Sequence, residues 1–124
     1  MVIYLQVSNL KKQEFIESFF TDSILNILEN QKLQNISVFK GNSDSSHQKV
    51  IIGTSTSNTQ MNGVVNKINK FINEKSNLNI EGRNSTWLLI EIKDILIHIF
   101  TQDAREFYMI EDLYFDCELI YQHG

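Results

Sequence analysis

From Glu14 to Gln31 the apolar residues Ile16, Phe20, Ile24, Ile27 and Leu28 recur at helical spacing, and Phe15 and Phe19 widen the stripe. This predicts an amphipathic helix. Leu33 to Phe39 is rich in β-branched residues and predicts a short strand, followed by the polar loop Gly41 to Ser46. Val50-Ile51-Ile52 is a continuous apolar run of the kind buried in the middle of a sheet, with Gly53 to Thr56 as the turn out of it. A second helix is announced by Ser57-Asn58-Thr59-Gln60, which has capping-box spacing. Met61, Val64, Val65, Ile68, Phe71 and Ile72 then share one face, with Asn62, Asn66, Lys67, Asn69 and Lys70 opposite. Gly63, inside that helix, is expected to allow a close backbone approach.

Leu78 to Glu81 reads as a strand ending at Gly82. Trp87 to Ile92 and Asp94 to Phe100 are strongly β-prone runs with almost nothing between them, so they form a hairpin turning near Ile92-Lys93. Such a turn ordinarily wants Gly or Asn at positive φ, which makes Lys93 a strained choice. Asp103-Ala104-Arg105-Glu106 resembles a second cap, opening a short helix with Phe107, Ile110, Leu113 and Tyr114. The order helix, strand, strand, helix, strand, hairpin strand, short helix predicts an α/β fold, a mixed sheet with helices packed on it.

Composition narrows the function more than the fold. The 124 residues allow one domain; 42% are hydrophobic and 21% charged, close to globular averages. Cys117 is alone and has no internal disulfide partner, which fits a reducing compartment. No apolar run is long enough to span a bilayer, and the opening residues do not read as a signal peptide. The expected location is therefore the cytoplasm. The formal charge is −4, and the longest basic run is Lys11-Lys12. Gripping RNA by its phosphates requires clustered Lys and Arg, so direct sequence-specific nucleic-acid binding is not expected, and a basic protein surface is the natural partner.

Candidate chemistry is sparse. Gly53-Thr54-Ser55-Thr56 could offer amides to a phosphate, but neither Gly-Lys-Ser/Thr nor GxGxxG is present, and a small-residue turn feeding an N-cap explains it better. Asp94 and His98 lie four residues apart on one strand, roughly 13 Å, too far to touch. His98 thus reads as a buried, hydrogen-bonded structural residue. Cys117 paired with His98 or His47 as a nucleophile lacks any local activating signal, and one Cys with three scattered His has no zinc-ligand spacing. Trp87 is the sole Trp; at a strand entrance it stands equally as core filler and as interface anchor.

Glu81-Gly82, then Trp87 through Phe100, then Ala104-Arg105-Glu106-Phe107-Tyr108 with Glu111 and Leu113, resemble the ribosomal silencing factor family, also called Iojap-like or RsfS. Its hallmarks are "EG…W", a hydrophobic hairpin, "HVF" and "REFY-x-L-E-x-L-W". Val50 to Thr56 is similar to its "FVIATGTSS" passage. The resemblance spans about Glu14 to Tyr114. It implies an N-terminal extension over 1–13, a silencing-factor domain over 14–115 and a tail over 116–124. It implies a nucleotidyltransferase-like topology without enzymatic activity or cofactor. The implied partner is ribosomal protein L-fourteen of the large subunit, where binding blocks the small subunit and damps translation. Many relatives form homodimers.

Residue by residue, the resemblance makes Trp87 the partner contact, with Glu81, Glu91, Lys93 and Asp94 as further partner-binding positions. His98, Arg105, Glu106 and Tyr108 match the motif; His98 and Tyr108 are expected to pin the last helix to the sheet, and Arg105 with Glu106 to form a solvated ion pair. The chain departs from the family at several points. Lys93 replaces the hairpin Gly, Glu91 an aspartate and Tyr114 the final Trp, and the Arg-His of the helix-two passage is absent. Two alternatives stand beside a docking module: a nucleotidyltransferase-like enzyme, which needs an Asp-x-Asp metal pair not found after Gly53-Thr54-Ser55, and a purely structural dimerising subunit.

Overall fold

The computed structural model describes residues 17–42, 44–73 and 77–124. Helix α1 covers 17–30; strands β1 (Gln34–Lys40) and β2 (Lys49–Ser55) follow, then helix α2 (Asn58–Phe71). Strands β3 (Leu78–Glu81), β4 (Trp87–Ile92) and β5 (Ile95–Thr101) lead to helix α3 (Gln102–Tyr108), a 3-10 turn (Ile110–Tyr114) and strand β6 (Glu118–His123). All six strands join one sheet in the order β3-β4-β5-β2-β1-β6. Only β2 and β5 run parallel; the remaining neighbours are antiparallel. The expected mixed α/β sheet with packed helices is therefore present. The extension 1–13 and the start of the first predicted helix lie outside the described residues.

Strand alternation divides the apolar residues between two faces. Ile95, Ile97 and Ile99 of β5, with Leu88, Ile90 and Ile92 of β4, meet Ile24, Leu25 and Leu28 of α1 and Met61, Val64, Val65 and Ile68 of α2 in the main core. Each fully buried Ile or Leu there contributes about 1.5–3 kcal/mol from burial. On the opposite face, Val50, Ile52, Phe100, Ala104 and Ile110 form a smaller cluster, flanked by Phe39, Trp87, Leu96 and Tyr114. β2 and β5 are covered on both sides, which is why they read as unbroken apolar runs.

Local chemistry sets the element ends. α1 closes in a Schellman arrangement with left-handed Lys32 (φ 65°), Leu33 N–H donating to Leu28 O and Lys32 N–H to Glu29 O. The Ser57 side chain caps α2 by accepting from Gln60 N–H at 3.0 Å, as expected. The Gln60 side chain, however, reaches one residue further back, accepting from Thr56 N–H. Gly63 makes room for the Gln31 side chain: a Cβ there would come within 2.4 Å of Gln31 Oε1. β3 stops at Gly82, whose φ of 81° few other residues adopt.

Four expectations are corrected. Gly53-Thr54-Ser55 is not a turn but the end of β2, because Ser55 still pairs with Thr101 in the parallel ladder. The cap of α3 is Thr101, two residues before Asp103, with its hydroxyl accepting from Ala104 N–H. The last helix breaks at left-handed Met109 (φ 48°) into the 3-10 turn, leaving Phe107 and Leu113 exposed. Finally, 116–124 is not a bare tail: Glu118–His123 pairs antiparallel with β1.

The hairpin turn falls on Lys93-Asp94, and Lys93 takes the predicted left-handed conformation at φ 50°. A Cβ in that region costs roughly 1–2 kcal/mol. Lys93→Gly is expected to raise the unfolding free energy by about 0.5–1 kcal/mol after the added chain entropy is offset. Urea denaturation of both proteins checks this, and a lower midpoint for the variant would contradict it.

Candidate functional site

On the face away from α1 and α2, aromatic rings form a line from α3 across the sheet to β1. Phe107 meets Tyr108 edge-on at 5.1 Å, and Tyr108 lies 5.2 Å from Trp87. Trp87 packs on Phe100 at 4.9 Å and on His98 at 5.8 Å. His98 continues to Tyr114 at 6.0 Å, which stacks on Phe39 at 5.9 Å. His98 and Phe100 in the middle of this line are buried, whereas Tyr108 is half exposed and Phe107 is 80% exposed. Phe115, 87% exposed, stands just past the 3-10 turn.

Trp87 owes its place to the turn before it. Ser85 Oγ bonds Gly82 O at 2.6 Å and Trp87 O at 2.9 Å, and accepts from Trp87 N–H. The half-buried indole leaves its N–H pointing at β5, where it donates to His98 Nδ1 at 3.1 Å. On its other side His98 Nε2 lies 3.0 Å from the Tyr114 hydroxyl. An indole N–H only donates, so Nδ1 carries a lone pair and the neutral ring holds its proton on Nε2, directed at Tyr114. His98 is 5% exposed, and burial, reinforced by His47 and opposed by Glu111, lowers its pKa from 6.5 to about 4. Burial likewise raises that of Tyr114, with Cys117 adding to the effect.

The acidic positions frame the same face. Glu81 pairs across to Leu89, and Leu89 to His98, so Glu81 and His98 share one row of the outer face. An open depression of about 290 Å³ between Glu81, Gly82, Trp87 and Leu89 joins Trp87 to this carboxylate. Glu91 lies further along β4 and contacts His47 Nε2 at 2.5 Å, a partner from the 41–48 loop that no local pattern reveals. Lys93 and Asp94 are exposed at the hairpin turn; the Asp94 carbonyl accepts from Gln48 and Lys49 N–H. The structure thus brings Trp87, Glu81 and Glu91 onto one face and puts Lys93 and Asp94 at its end.

Arg105 departs from expectation. Its side chain is only 13% exposed and ignores Glu106. Nε donates to Glu111 Oε1 at 2.6 Å, and Nη1 to Thr54 Oγ1 at 2.9 Å and to the carbonyl of left-handed Asn35. Adjacent helical residues point apart, so Arg105 and Glu106 had no route to each other; Glu106 pairs with Gln102 instead. Arg105 therefore clamps α3 and the 3-10 turn to β1 and β2, while Tyr108 holds the same helix against Trp87. Arg105 lies beside a wide open depression of about 590 Å³, which is lined by Glu106, Glu111, Asp112 and His123 among others and is separate from the aromatic line.

Several polar atoms of the Thr54 to Gln60 passage are bound internally: Thr54 Oγ1 to Arg105, Ser55 Oγ to Ser57 O, and Thr56 N–H to Gln60 Oε1. Among the described residues, no three His, Cys, Asp or Glu side chains converge where a metal ion could sit. No helix among them is long and apolar enough to cross a membrane. What the arrangement offers is a rigid aromatic surface with acidic flanks.

A family model described as ribosomal silencing factor during starvation matches residues 13–123. A crystal structure of a protein from Chromobacterium violaceum is 25% identical with a TM-score of 0.69, covering 78% of this chain and 84% of its own. A second, from Bacillus halodurans, shares the fold at 20% identity with a TM-score of 0.70, covering 84% and 98% respectively. Among curated proteins none matches this chain in sequence.

Two outcomes follow from the geometry. The unfolded chain binds a proton at His98 near pH 6.5 and the folded chain only near pH 4. The neutral ring's contribution is therefore intact above 6.5 and is lost as pH falls towards 4, on the order of 3 kcal/mol in all. Denaturant unfolding at pH 7 and 4.5 should show this fall and show it blunted in His98→Asn; equal slopes would refute the assignment. Arg105→Met should lower stability by about 2–4 kcal/mol, because the Asn35 and Thr54 acceptors lose their donor. A loss under about 0.5 kcal/mol by the same method would show that the clamp carries no weight.

Proposed function

The chain belongs to the ribosomal silencing factor family, and from that premise we propose that it represses translation by docking on the large ribosomal subunit through the aromatic face around Trp87. Its partner there is ribosomal protein L-fourteen, and its bulk blocks the approach of the small subunit. The protein acts by occupancy and not by catalysis. Such a role places it where ribosomal subunits join, in the cytoplasm.

The observation that carries this reading is the state of Trp87: half-buried, fixed by Phe100, Tyr108 and His98, yet bordering an open depression. A rigid aromatic anchor loses little freedom on binding and is the residue type most often found at interface hot spots. Phe107 and Tyr108 extend the apolar contact beyond it. Glu81 supplies negative charge beside it, and Glu91 and Asp94 further along the hairpin, in a chain of net charge −4, which complements a basic partner and speeds encounter more than it adds affinity. A patch of about 800 Å² per partner is within reach of a domain this size.

Purified protein is expected to co-sediment with isolated large subunits and to slow subunit joining followed by light scattering. Trp87→Ala should weaken binding by about tenfold or more, the usual consequence of losing a central aromatic anchor. Wild-type protein that stays in the supernatant at modest salt would sink the proposal.

A further inference from the structure

Behind the docking surface lies a buried polar residue with both ring nitrogens engaged. His98 sits on β5 with Trp87 Nε1 at 3.1 Å on one side and the Tyr114 hydroxyl at 3.0 Å on the other. An apolar side chain of similar size would support the indole from beneath. It would not select between the ring's two flipped orientations, which differ in where the N–H points. A lone pair at Nδ1 makes that selection, because leaving the N–H unpaired against a buried neighbour is unfavourable. The Tyr114 hydroxyl completes the arrangement: by accepting from Nε2–H it holds the proton on Nε2 and keeps Nδ1 free to accept.

We infer that His98 is a positioning residue for docking: bonded through Nδ1 to Trp87 and through Nε2 to Tyr114, it fixes the orientation in which the indole meets the partner. The inference rests on the reading that Trp87 is the docking anchor. It adds a specific chain of action, from the 3-10 turn through β5 to β4, that runs entirely below the contact surface. The groups around the imidazole keep it in the required form. Trp87 faces it from β4, Tyr114 and Glu111 from the 3-10 turn, and His47 from the 41–48 loop. Burial dominates among them and holds the ring neutral down to about pH 4, so the orientation is insensitive to pH across the cellular range.

Trp87 is the only Trp in the chain, so one indole ¹H–¹⁵N cross-peak and one emission spectrum report on it alone. Three variants separate shape from hydrogen bonding. His98→Leu fills the space without an acceptor, His98→Asn places an amide oxygen near the position of Nδ1, and Tyr114→Phe removes only the far hydroxyl. His98→Leu is expected to move the indole cross-peak, speed its hydrogen exchange and weaken large-subunit binding about five- to tenfold. His98→Asn should recover most of the binding and keep the indole N–H protected.

Cooperatively folded His98→Leu that binds like wild type, while Trp87→Ala does not, overturns the inference and leaves the docking reading standing. Trp87→Ala that binds like wild type overturns the docking reading itself. In that case the cross-peak in His98→Leu still shows whether the indole is oriented by His98. Should His98→Leu fail to fold, Tyr114→Phe decides: a shifted cross-peak with binding weakened about threefold supports the inference. An unmoved cross-peak with unchanged binding overturns it.

Discussion

The aromatic face of this protein depends on the parallel pairing of β2 with β5 at the centre of the sheet. A parallel pair is stable only when both of its faces are covered. One face receives two full helices, α1 and α2. Among the described residues the other receives only α3 and a 3-10 turn, a cover too short to reach β3 and the outer half of β4. Trp87 stands where that cover ends. Its indole is part of the smaller core and also the first residue of the open surface. Arg105 makes so thin a layer dependable by binding Glu111, Thr54 and Asn35 at once, so that the turn carrying Tyr114 cannot shift away from the strands beneath it.

Much of this was legible in the sequence wherever local chemistry decides structure. The start of α2, the extent of β3 and the β4–β5 hairpin all follow from caps, turn residues and alternation within a few positions. Even the strain at Lys93 could be read from the absence of Gly or Asn in the turn. Three of the departures share one physical origin, in partners distant along the chain. Gly53-Thr54-Ser55 looks like a turn because its residues are small and polar, yet the ladder with β5 holds it extended. β6 is exposed along its length and is a strand only because β1 has an open edge beside it. Arg105 looks like half of a surface ion pair until Thr54, 51 residues away, is brought beneath it.

The candidate site was legible in the same uneven way. Sequence left Trp87 evenly divided between core and interface, and its half-burial shows why: both descriptions hold for different edges of one ring. Glu91 could be assigned to the outer face from alternation alone, but its contact with His47 belongs to a loop 44 residues away. In the proposed docking mode the charges and the rings of this face contribute differently. Exposed carboxylates are screened within about a Debye length and mainly guide approach. Desolvated aromatic area sustains a complex once formed. The acidic residues are accordingly found at the margins, and the rings between them.

A histidine is suited to the position behind Trp87 for a reason that neither an apolar nor a charged residue shares. It must stack with Phe100, at 6.1 Å, and pack at a tilt against Tyr114, at 6.0 Å, so it must be flat and largely apolar. It must also satisfy an indole that can only donate and a hydroxyl that can accept, so it must offer one lone pair and one N–H on opposite sides of the ring. Neutral imidazole is the side chain that does both. Its weakness is protonation, which would replace the lone pair with a second donor aimed at the indole N–H. Burial removes that weakness by lowering the pKa to about 4. The same seclusion that makes the residue look merely structural therefore allows a titratable group to act as a fixed spacer, with the stability of the small core and the presentation of Trp87 resting on one pair of hydrogen bonds.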